Sequence, residues 1–384
     1  MNSLHNSHFD IVIVGAGPAG STCAALLARE GIRVLLCDKS VFPREKICGD
    51  CINPGCWIFF ELLGVTDEVA RDSQIIKGVK ITGRSGSILD IPFNEQLKVP
   101  FVAMKRSKLD LLLLNRALVD GVTFSEETIL ESINLVDGNI GEWKIGFRKR
   151  NGGGLIYITC KILVGADGRN SRVATILAGG DKAGNKWNGS GSRRVGVQLM
   201  VKRPNEIDSN VIMFFFDGGY GGIVSVSDAE ANIAMVVSPE LAHLATIDHQ
   251  QFISRTIHSN QYGRTIAPHL ESTQAVRTAS PISPRGNRVH NPAAFLIGDA
   301  RHTTEPFTGE GIYFAMQDGV RSANGIAKTF GLPEVKNSMT LKSRFWIDNV
   351  FSPILRNGLW VDRLLKVGRR SGAIRKLATK AVFG

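Results

Sequence analysis

The start of the chain carries the feature that most constrains its fold. Residues 9–14 are an apolar run, which predicts a strand buried on both faces. Gly15-x-Gly17-x-x-Gly20 follows this run directly, and residues 21–30 form an Ala- and Leu-rich segment that predicts a helix. A strand, a glycine-rich turn and a helix in this order are typical of the nucleotide-binding unit of doubly wound α/β folds.

Each glycine of this turn has a physical role. Gly15 permits the tight turn, Gly17 lets the backbone approach a pyrophosphate, and Gly20 lets the helix pack on the strand. The helix then points its free N–H groups at the phosphates. A second predicted strand, residues 34–37, ends at Asp38, whose carboxylate is placed to accept hydrogen bonds from ribose hydroxyls. The residues predicted here to bind a dinucleotide are Gly15, Gly17, Ala19, Gly20, Asp38 and Lys39.

Two later segments repeat the pattern of a buried strand that ends in a glycine-rich turn. In "KILVGADGRNSRV" (161–173) the strand runs into a turn that contains Asp167 and Gly168. In "AAFLIGDARHTTEPFTGEGIYFAMQDG" (293–319) Gly298 and Asp299 end the strand, and a Pro/Gly turn opens a helix near Gly309. The first motif alone fits NAD or FAD, and these two segments decide between them.

The three motifs, in this order, resemble those of FAD-dependent oxidoreductases. More narrowly, the chain resembles the superfamily shared by para-hydroxybenzoate hydroxylase-type monooxygenases and geranylgeranyl reductases, and "MKRSKLDLLLLNRAL" (104–118) is similar to that superfamily's "RxxLDxxL" helix. The match extends over residues 9–325. It implies an α/β fold in which a Rossmann-like, glutathione-reductase-type FAD-binding domain is interleaved with an antiparallel-β substrate domain.

The resemblance implies a role for several side chains. Asp38 would hold the adenosine ribose, Arg106 the phosphates or the ribityl chain, and Asp299 a ribityl hydroxyl or a phosphate-linked water. Arg44 would lie near the flavin edge. The helix that starts at 309–311 would place its positive end by the pyrimidine part of the flavin. The other predicted FAD contacts are Cys48, Gly49, Asp167, Gly168, Gly298, Pro306, Gly309, Glu310, Gly311 and Ile312.

Asp167 has two interpretations. It is either a residue that caps the following helix or one that binds the flavin or gates the reductant, and the acid, the glycine and Ser171 at one strand end favour the second.

Between the motifs, apolar and polar residues alternate around glycine turns, as they do in antiparallel sheets. These segments are residues 76–93, 195–203, 209–216 and 221–237. They predict a substrate-binding lobe, built from 71–100 and 191–282, whose sheet covers the flavin. The FAD-binding domain would then consist of 1–70, 101–190 and 283–330, followed by a basic helical segment, 331–384. No second GxGxxG follows a strand, so a separate NAD(P)H domain is not predicted.

Three cysteines lie within "REKICGDCINPGCW" (44–57), and this segment allows three interpretations. A metal site is disfavoured because Cys-x2-Cys-x4-Cys lacks a fourth nearby ligand. A redox disulfide between Cys51 and Cys56 resembles the pyridine nucleotide–disulfide oxidoreductases, but their second dinucleotide fold and C-terminal His–Glu element are missing. The favoured interpretation is similarity to the "PxxKxCGxG" segment of geranylgeranyl reductases. It places Cys48 beside the flavin and packs Cys51 and Cys56 at the start of a helix over 57–63, while Cys23 and Cys37 become small buried hydrophobic residues.

The expected activity is that of an FAD-dependent oxidoreductase using NAD(P)H electrons on a bulky hydrophobic small molecule between the lobes. Hydroxylation with O2 is favoured, because the prenyl-shaping "YxWxFP" segment of the reductases is replaced by 220–225, with Gly222 for Trp and Ser225 for Pro. A geranylgeranyl reductase-like reduction of C=C bonds is the alternative. The absence of "GWxWxIP" counts against halogenation. The candidate catalytic residues are Cys48, Tyr220 and His302.

The charge is concentrated at the end of the chain. Residues 336–384 contain eleven Lys and Arg but two Asp, in a protein of net charge +11. This segment is either an amphipathic helix docked on the core or an interfacial anchor on anionic lipid. Nucleic-acid binding is not predicted, because no reading module accompanies the charge. A polar N-terminus, without a signal peptide or an 18-residue apolar window, predicts a cytoplasmic protein, peripheral to a membrane if the tail binds lipid.

Overall fold

The computed structural model of the protein describes residues 5–93, 99–136, 141–150, 152, 154–179, 194–280, 282, 285–287, 289, 291–303, 309–334, 363 and 365. The elements of the first half of the chain are β1 (His8–Val14), α1 (Pro18–Arg29), β2 (Val34–Cys37), β3 (Cys51–Ile52), α2 (Trp57–Leu63), α3 (Thr66–Asp72), β4 (Gln74–Ile76), β5 (Gly78–Thr82), β6 (Ile88–Pro92), β7 (Phe101–Ala103), α4 (Arg106–Val119), β8 (Thr123–Ser125), β9 (Thr128–Leu135), β10 (Trp143–Lys149), β11 (Ile156–Gly165) and α5 (Arg172–Leu177).

The second half continues the same alternation of sheets and helices. Its elements are β12 (Val195–Lys202), β13 (Asn210–Phe216), β14 (Gly219–Ser225), β15 (Glu230–Val237), α6 (Pro239–Ile247), α7 (His249–Arg255), α8 (Gly263–Ile266), β16 (Arg277–Ala279), β17 (Arg285–Gly286), β18 (Ala294–Leu296), β19 (His302–Thr303) and α9 (Gly311–Thr329).

The first sheet has the order β8-β2-β1-β11-β10-β9, and β18 pairs with the C-terminal half of β11. β8, β2, β1, β11 and β18 are parallel, whereas β9 and β10 form an antiparallel extension. The register sets Val14 beside Cys37 and Gly165, and Gly165 beside Leu296. The glycine-rich turn, Asp38 and the two later motifs therefore leave the sheet at one edge, where ligands bind in such folds.

Helices α1, α4 and α9 cover one face of this sheet. Helix α1 begins at Pro18, three residues before the predicted start, because the fixed φ of proline and its missing N–H suit the first helical turn. Helices α1 and α9 approach closely at Gly319, where a Cβ atom would lie 2.7 Å from the carbonyl oxygen of Ala19. The position of α9 relative to the glycine-rich turn is thus set by a glycine contact.

The second large sheet has the order β16-β12-β15-β14-β13-β5-β6 and is antiparallel except for the pair β5–β13. Each of the four segments predicted to alternate contains strands of this sheet. Helices α6–α8 cover its outer face, with Leu241, Phe252 and Ile266 in the shared core. These helices were not predicted, although Ser238 and Asp248 cap α6 and α7 by accepting hydrogen bonds from backbone N–H groups.

The opposite surface of the second sheet, here called the inner face, is mostly apolar. One part of it packs on the small sheet β3-β7-β4, where Met200 and Val211 contact the cluster of Ile76, Phe101 and Ala103. A neighbouring cluster on the inner face consists of Leu89, Ile91, Phe215, Tyr220, Val236, Ile282 and Leu365.

Most of the predicted basic segment, 331–384, lies outside the described residues, as does the connection 180–193. Within the segment, Leu365 is buried against the inner face. Of the helices that the structure describes, none is both long and apolar enough to cross a bilayer.

Candidate active site

The glycine-rich turn is held so tightly that two of its positions admit only glycine. Gly15 has φ +109°, and a Cβ there would lie 2.3 Å from the carbonyl oxygen of Ala166. A Cβ at Gly20 would lie 1.9 Å from the carbonyl oxygen of Gly15. The turn is therefore wedged between β1 and β11, with α1 starting directly behind it.

Asp38 fixes the turn from the end of β2. Its Oδ2 accepts a hydrogen bond from the N–H of Ala16 at 2.9 Å, and its Oδ1 accepts one from Ser40 at 2.9 Å. No side chain caps the N-terminus of α1, so its first N–H groups face the turn as they do in pyrophosphate sites. The contact between Asp38 and a ribose stays a prediction, and Lys39 is exposed at the end of the strand.

Arg44 lies at the glycine-rich turn, and its position near the flavin edge stays a prediction. Its guanidinium is 3.1 Å from Asp110 and 3.8 Å from Asp38, and it would contact a Cβ placed on Gly17 at 3.2 Å. Its Nε is buried and has no hydrogen-bond partner among the described residues. A buried donor of this kind suits a phosphate or ribose oxygen.

Arg106, at the start of α4, is held by its neighbour one turn later. Its Nε and Nη2 donate to the two carboxylate oxygens of Asp110 at 2.9 and 3.0 Å. Asp110 is fully buried and also pairs with Arg44, so one carboxylate orients two guanidinium groups. The sequence analysis missed Asp110, although its position four residues after Arg106 is the spacing of a helical ion pair.

Lys46 connects the two later motifs and was not predicted. Its ammonium is 3.9 Å from Asp299 and would lie 3.7 Å from a Cβ placed on Gly168. Burial lowers its pKa, whereas Asp299 raises it. The structure thus brings Gly168 and Asp299 together around a cation that could meet an anionic part of a cofactor.

Asp167 caps α5 with one carboxylate oxygen and binds the N-cap residue of that helix with the other. Oδ1 accepts from the hydroxyl of Ser171 at 2.5 Å, and Oδ2 accepts from the N–H groups of Arg172 and Val173 at 2.7 and 3.1 Å. Burial raises its pKa, although these hydrogen bonds oppose the rise. The observed role is therefore the capping one, and the preferred role in flavin binding stays a prediction.

The late motif contributes the N-terminus of the longest helix. Gly309 has φ +67°, and Glu310 and Ile312 are buried on either side of the start of α9. No side chain caps α9, and a Cβ on Gly311 would meet no atom within 4 Å. Among the described residues, no side chain therefore competes for the positive end of this 19-residue helix, where the flavin is predicted to lie. Gly298 donates its N–H to Asp318, and Pro306 lies outside the described residues.

The loop that contains Cys48 is fastened to the inner face. The carbonyl oxygen of Cys48 accepts hydrogen bonds from Nε2 of Gln198 at 3.2 Å and from Nδ2 of Asn232 at 2.8 Å. Asp50 accepts from Asn232 with Oδ2 at 2.8 Å and from the N–H of Arg106 with Oδ1 at 3.1 Å. The sequence analysis missed Asp50, Gln198 and Asn232, which together join the second sheet to α4.

Burial controls the protonation of this loop. It raises the pKa of Asp50 to about 7, although Arg106 lowers it. It also raises the pKa of the Cys48 thiol, against an opposing effect of Arg106. The thiol is therefore protonated at neutral pH, and Asp50 titrates there. Gly49 between them is exposed, and a Cβ on it would meet nothing within 4 Å.

The remaining cysteines separate into two environments. Cys56 is fully buried at the start of α2, as predicted, and Cys23 and Cys37 are fully buried in the core. Cys51 departs from the prediction, because it lies in β3 with its Cβ 3.9 Å from the Cβ position of Gly309, not at α2. All are free thiols, and burial raises the pKa of Cys51 and Cys56. The structure therefore gives the disulfide interpretation no support.

Tyr220 and His302 lie in different surroundings. Tyr220 is 5% exposed on the inner face, with its ring 6.0 Å from that of Phe215. His302, in β19, lines a cavity of about 150 Å³ together with Asp299 and Asp318. Burial and Arg301 lower the pKa of His302. Tyr220 thus belongs to the apolar wall, and His302 to the polar end of the late motif.

The described residues fit FAD. The glycine-rich turn gives backbone access, two uncapped helix starts offer N–H groups, and the buried Nε of Arg44 is an unused donor. A pyrophosphate and a flavin ring that lie along one edge of a sheet need groups of these kinds.

Comparison with known proteins agrees with this geometry. The chain matches the family model described as "FAD binding domain" over residues 8–331. The menaquinone reductase of Mycolicibacterium smegmatis is 26% identical over 338 residues, covering 82% of this chain and 75% of that protein. The digeranylgeranylglycerophospholipid reductase of Methanocella arvoryzae is 26% identical over 328 residues, covering 84% of this chain and 78% of that protein.

Solved structures share the fold. A flavoprotein/dehydrogenase from Cytophaga hutchinsonii superposes with a TM-score of 0.74 at 19% identity, covering 93% of this chain and 87% of the other. Aklavinone-11 hydroxylase, solved in a ternary complex with FAD and aklavinone, superposes with a TM-score of 0.66 at 21% identity, covering 85% of this chain and 63% of the other.

Proposed function

Because the chain belongs to the FAD binding domain family, we propose that this FAD-dependent oxidoreductase takes electrons from NAD(P)H and hydroxylates a bulky hydrophobic small molecule with O2. The predicted superfamily, the α/β fold and the use of FAD are confirmed. The electron donor, the substrate class and the choice of reaction are the proposal.

The apolar inner face of the second sheet is the observation that supports this proposal. Phe215, Tyr220 and Val236 form a buried apolar wall on the side of the second sheet that holds the Cys48 loop. A wall of this kind excludes water, which oxygen transfer requires to avoid loss of the activated oxygen. At Gly222 a Cβ would lie 2.8 Å from the sulfur of Met213, so the methionine side chain occupies the space next to the position where the prenyl-shaping segment has its tryptophan.

The residues around the flavin position have separable tasks. FAD, when bound, supplies the two-electron chemistry. The start of α9 offers a positive potential for an anionic ring, while Lys46 and Arg44 offer cationic groups toward phosphates or carbonyl oxygens. Asn232 and Gln198 hold the Cys48 loop in place against the second sheet.

Reduction of a C=C bond is the second candidate, and the Cys48 thiol favours it. A reductase needs a proton donor, and burial keeps this thiol protonated at neutral pH. The two relatives described above are named as reductases of a menaquinone and of a digeranylgeranylglycerophospholipid. Both names indicate large apolar substrates, which suits the same wall.

Isotope labelling separates the two reactions. The purified, yellow holoenzyme is given NADH or NADPH with alkylphenols, quinones and polyprenyl alkenes, once under ¹⁸O2 and once without oxygen. Hydroxylation is expected to give product containing ¹⁸O and no product without oxygen. Anaerobic saturation of an alkene, with no ¹⁸O in any product, would replace the proposal by the reductase. Protein that binds no flavin would contradict both candidates.

A further inference from the structure

The amide of Gln198 is an unusual group on the inner face. Gln198 is 2% exposed. Its neighbours along β12, Val197 and Leu199, point to the other side of the sheet, into the core beneath α6–α8. The amide of Asn232 lies beside it on β15. Two buried amides on an otherwise apolar wall need hydrogen-bond partners, because an unpaired buried polar atom is costly.

The hydrogen bonds determine which way both amides point. The NH2 group of Asn232 donates to the carbonyl oxygen of Cys48, which can only accept, and to the carboxylate of Asp50. Its oxygen therefore faces Gln198, whose NH2 group donates to it at 3.2 Å and to the carbonyl oxygen of Cys48 at 3.2 Å. Turning the Gln198 amide over would set its oxygen against two acceptors.

One acceptor is left over by this arrangement. The Oε1 of Gln198 is buried and has no hydrogen-bond partner among the described residues. It is shielded from water, so solvent does not compete for it. It belongs to the side chain that holds Cys48, so it lies at the end of the inner face next to the predicted flavin position.

We propose that Oε1 of Gln198 accepts a hydrogen bond from the substrate. This inference rests on the proposed function and narrows its substrate class to a molecule with an apolar body and a hydroxyl donor at one end. The body would lie along Met213, Phe215 and Tyr220, and the hydroxyl would point at Gln198. A buried acceptor rejects an analogue that cannot donate, so Gln198 would set specificity.

A matched pair of ligands tests this role without requiring turnover. Para-heptylphenol and its methyl ether differ in one donor and are titrated into the holoenzyme while the flavin absorbance is recorded. The wild type is expected to bind the phenol about 10-fold more tightly than the ether. Gln198→Met, which removes the acceptor, is expected to bring this ratio close to one.

Asp50→Ala is the matched control. It weakens the support of the Cys48 loop, but Asp50 does not bond to Gln198 and offers no unused acceptor, so the variant is expected to change both affinities by the same factor and keep their ratio. Equal binding of the phenol and the ether by the wild type overturns the inference. This comparison remains available if Gln198→Met does not fold. An unchanged ratio in Gln198→Met, or a change confined to FAD affinity, overturns it as well. Absence of oxygen-dependent product with normal discrimination would instead count against hydroxylation alone.

Discussion

At the scale of single residues, Asp50 joins the two sheets through hydrogen bonds, and it does so in a backbone conformation that is unusual for its residue type. It has φ +57°, a left-handed conformation that is uncommon for residues other than glycine. Its carboxylate is nevertheless retained by the N–H of Arg106 and by Asn232. These two bonds come from the start of α4 and from β15 of the second sheet, so the protonation of one buried acid affects how the helix and the sheet are held together.

This leads to a prediction about stability and pH. The pKa of Asp50 is about 7 in the folded protein and near its ordinary value when unfolded, so the folded state binds more protons between these values. Its contribution is therefore present at low pH and lost as the pH rises through about 7, by at most roughly 1.4 kcal/mol per pH unit. Urea unfolding of wild type and Asp50→Asn at pH 5.5 and 8 measures it, and the loss on raising the pH is expected to be smaller in the variant.

Cys51 and Cys56 allow a second prediction at this scale. Their free, protonated thiols lie against Gly309 and in the α2 core, respectively. We expect Cys51→Ser/Cys56→Ala to retain NAD(P)H-dependent turnover within about 3-fold, with reduced stability from the cavity at Cys56. Steady-state assays compare it with Cys23→Ala, a buried cysteine in α1. Loss of turnover in the double variant alone would restore the disulfide mechanism.

At the scale of elements, the contact between α1 and α9 fixes both helix starts that face the cofactor. A Cβ on Gly319 would lie 2.7 Å from the carbonyl oxygen of Ala19, so the helices must separate to admit it. Both elements begin at the site, and a shift of α9 moves Gly309 and Gly311 relative to the glycine-rich turn. We therefore expect the packing of the two helices to set the distance between their starts.

Gly319→Ala is accordingly expected to reduce the FAD content of purified protein and to raise the dissociation constant for FAD several-fold or more. Gly325→Ala is the matched control on the same helix, because a Cβ there meets nothing within 4 Å. It is expected to bind FAD normally and to gain up to about 1 kcal/mol in unfolding free energy from better helix propensity. Flavin absorbance and denaturant unfolding measure both, and equal FAD affinity in the two variants would contradict the role of this contact.

At the scale of the whole molecule, charge and apolar surface meet at the end of the chain. Leu365 is buried in the inner-face cluster with Tyr220, and Arg363 close to it is exposed. The basic segment therefore reaches the wall that we assign to the substrate. We propose that it also contacts anionic membranes, which would bring an apolar substrate to the cleft.

Vesicle flotation tests this membrane contact. Protein is expected to float with vesicles containing phosphatidylglycerol and not with pure phosphatidylcholine, and to be released by salt. Arg369→Glu/Arg370→Glu should weaken the association by about 10-fold or more, because each basic residue contributes roughly 1 kcal/mol near an anionic surface. Arg71→Glu, an exposed position on α3, is the control. Binding that is insensitive to salt and to the paired variant would contradict the proposal.

Local spacing in the sequence was sufficient for the first part of the fold. The glycine-rich turn and the strand 34–37 with Asp38 follow from apolar runs and glycine geometry, which depend on residues a few positions apart, whereas the helix 57–63 came with the similarity of the cysteine segment to geranylgeranyl reductases. Motif similarity added the family and FAD. The ion pairs of Arg44 with Asp110 and Asp38 were not predicted, because a loop position says nothing about the direction of a long side chain.

What the tertiary structure decided lies where distant strands meet. Gln198 is 150 residues from Cys48, and Asn232 is 182 residues from Asp50, yet both pairs are hydrogen bonded. Their meeting depends on the register of the second sheet and on its docking against the first, neither of which leaves a periodic signal in the chain. The sequence by itself determined a dinucleotide-binding α/β protein, and only the packing of two sheets determined which polar groups face its cleft.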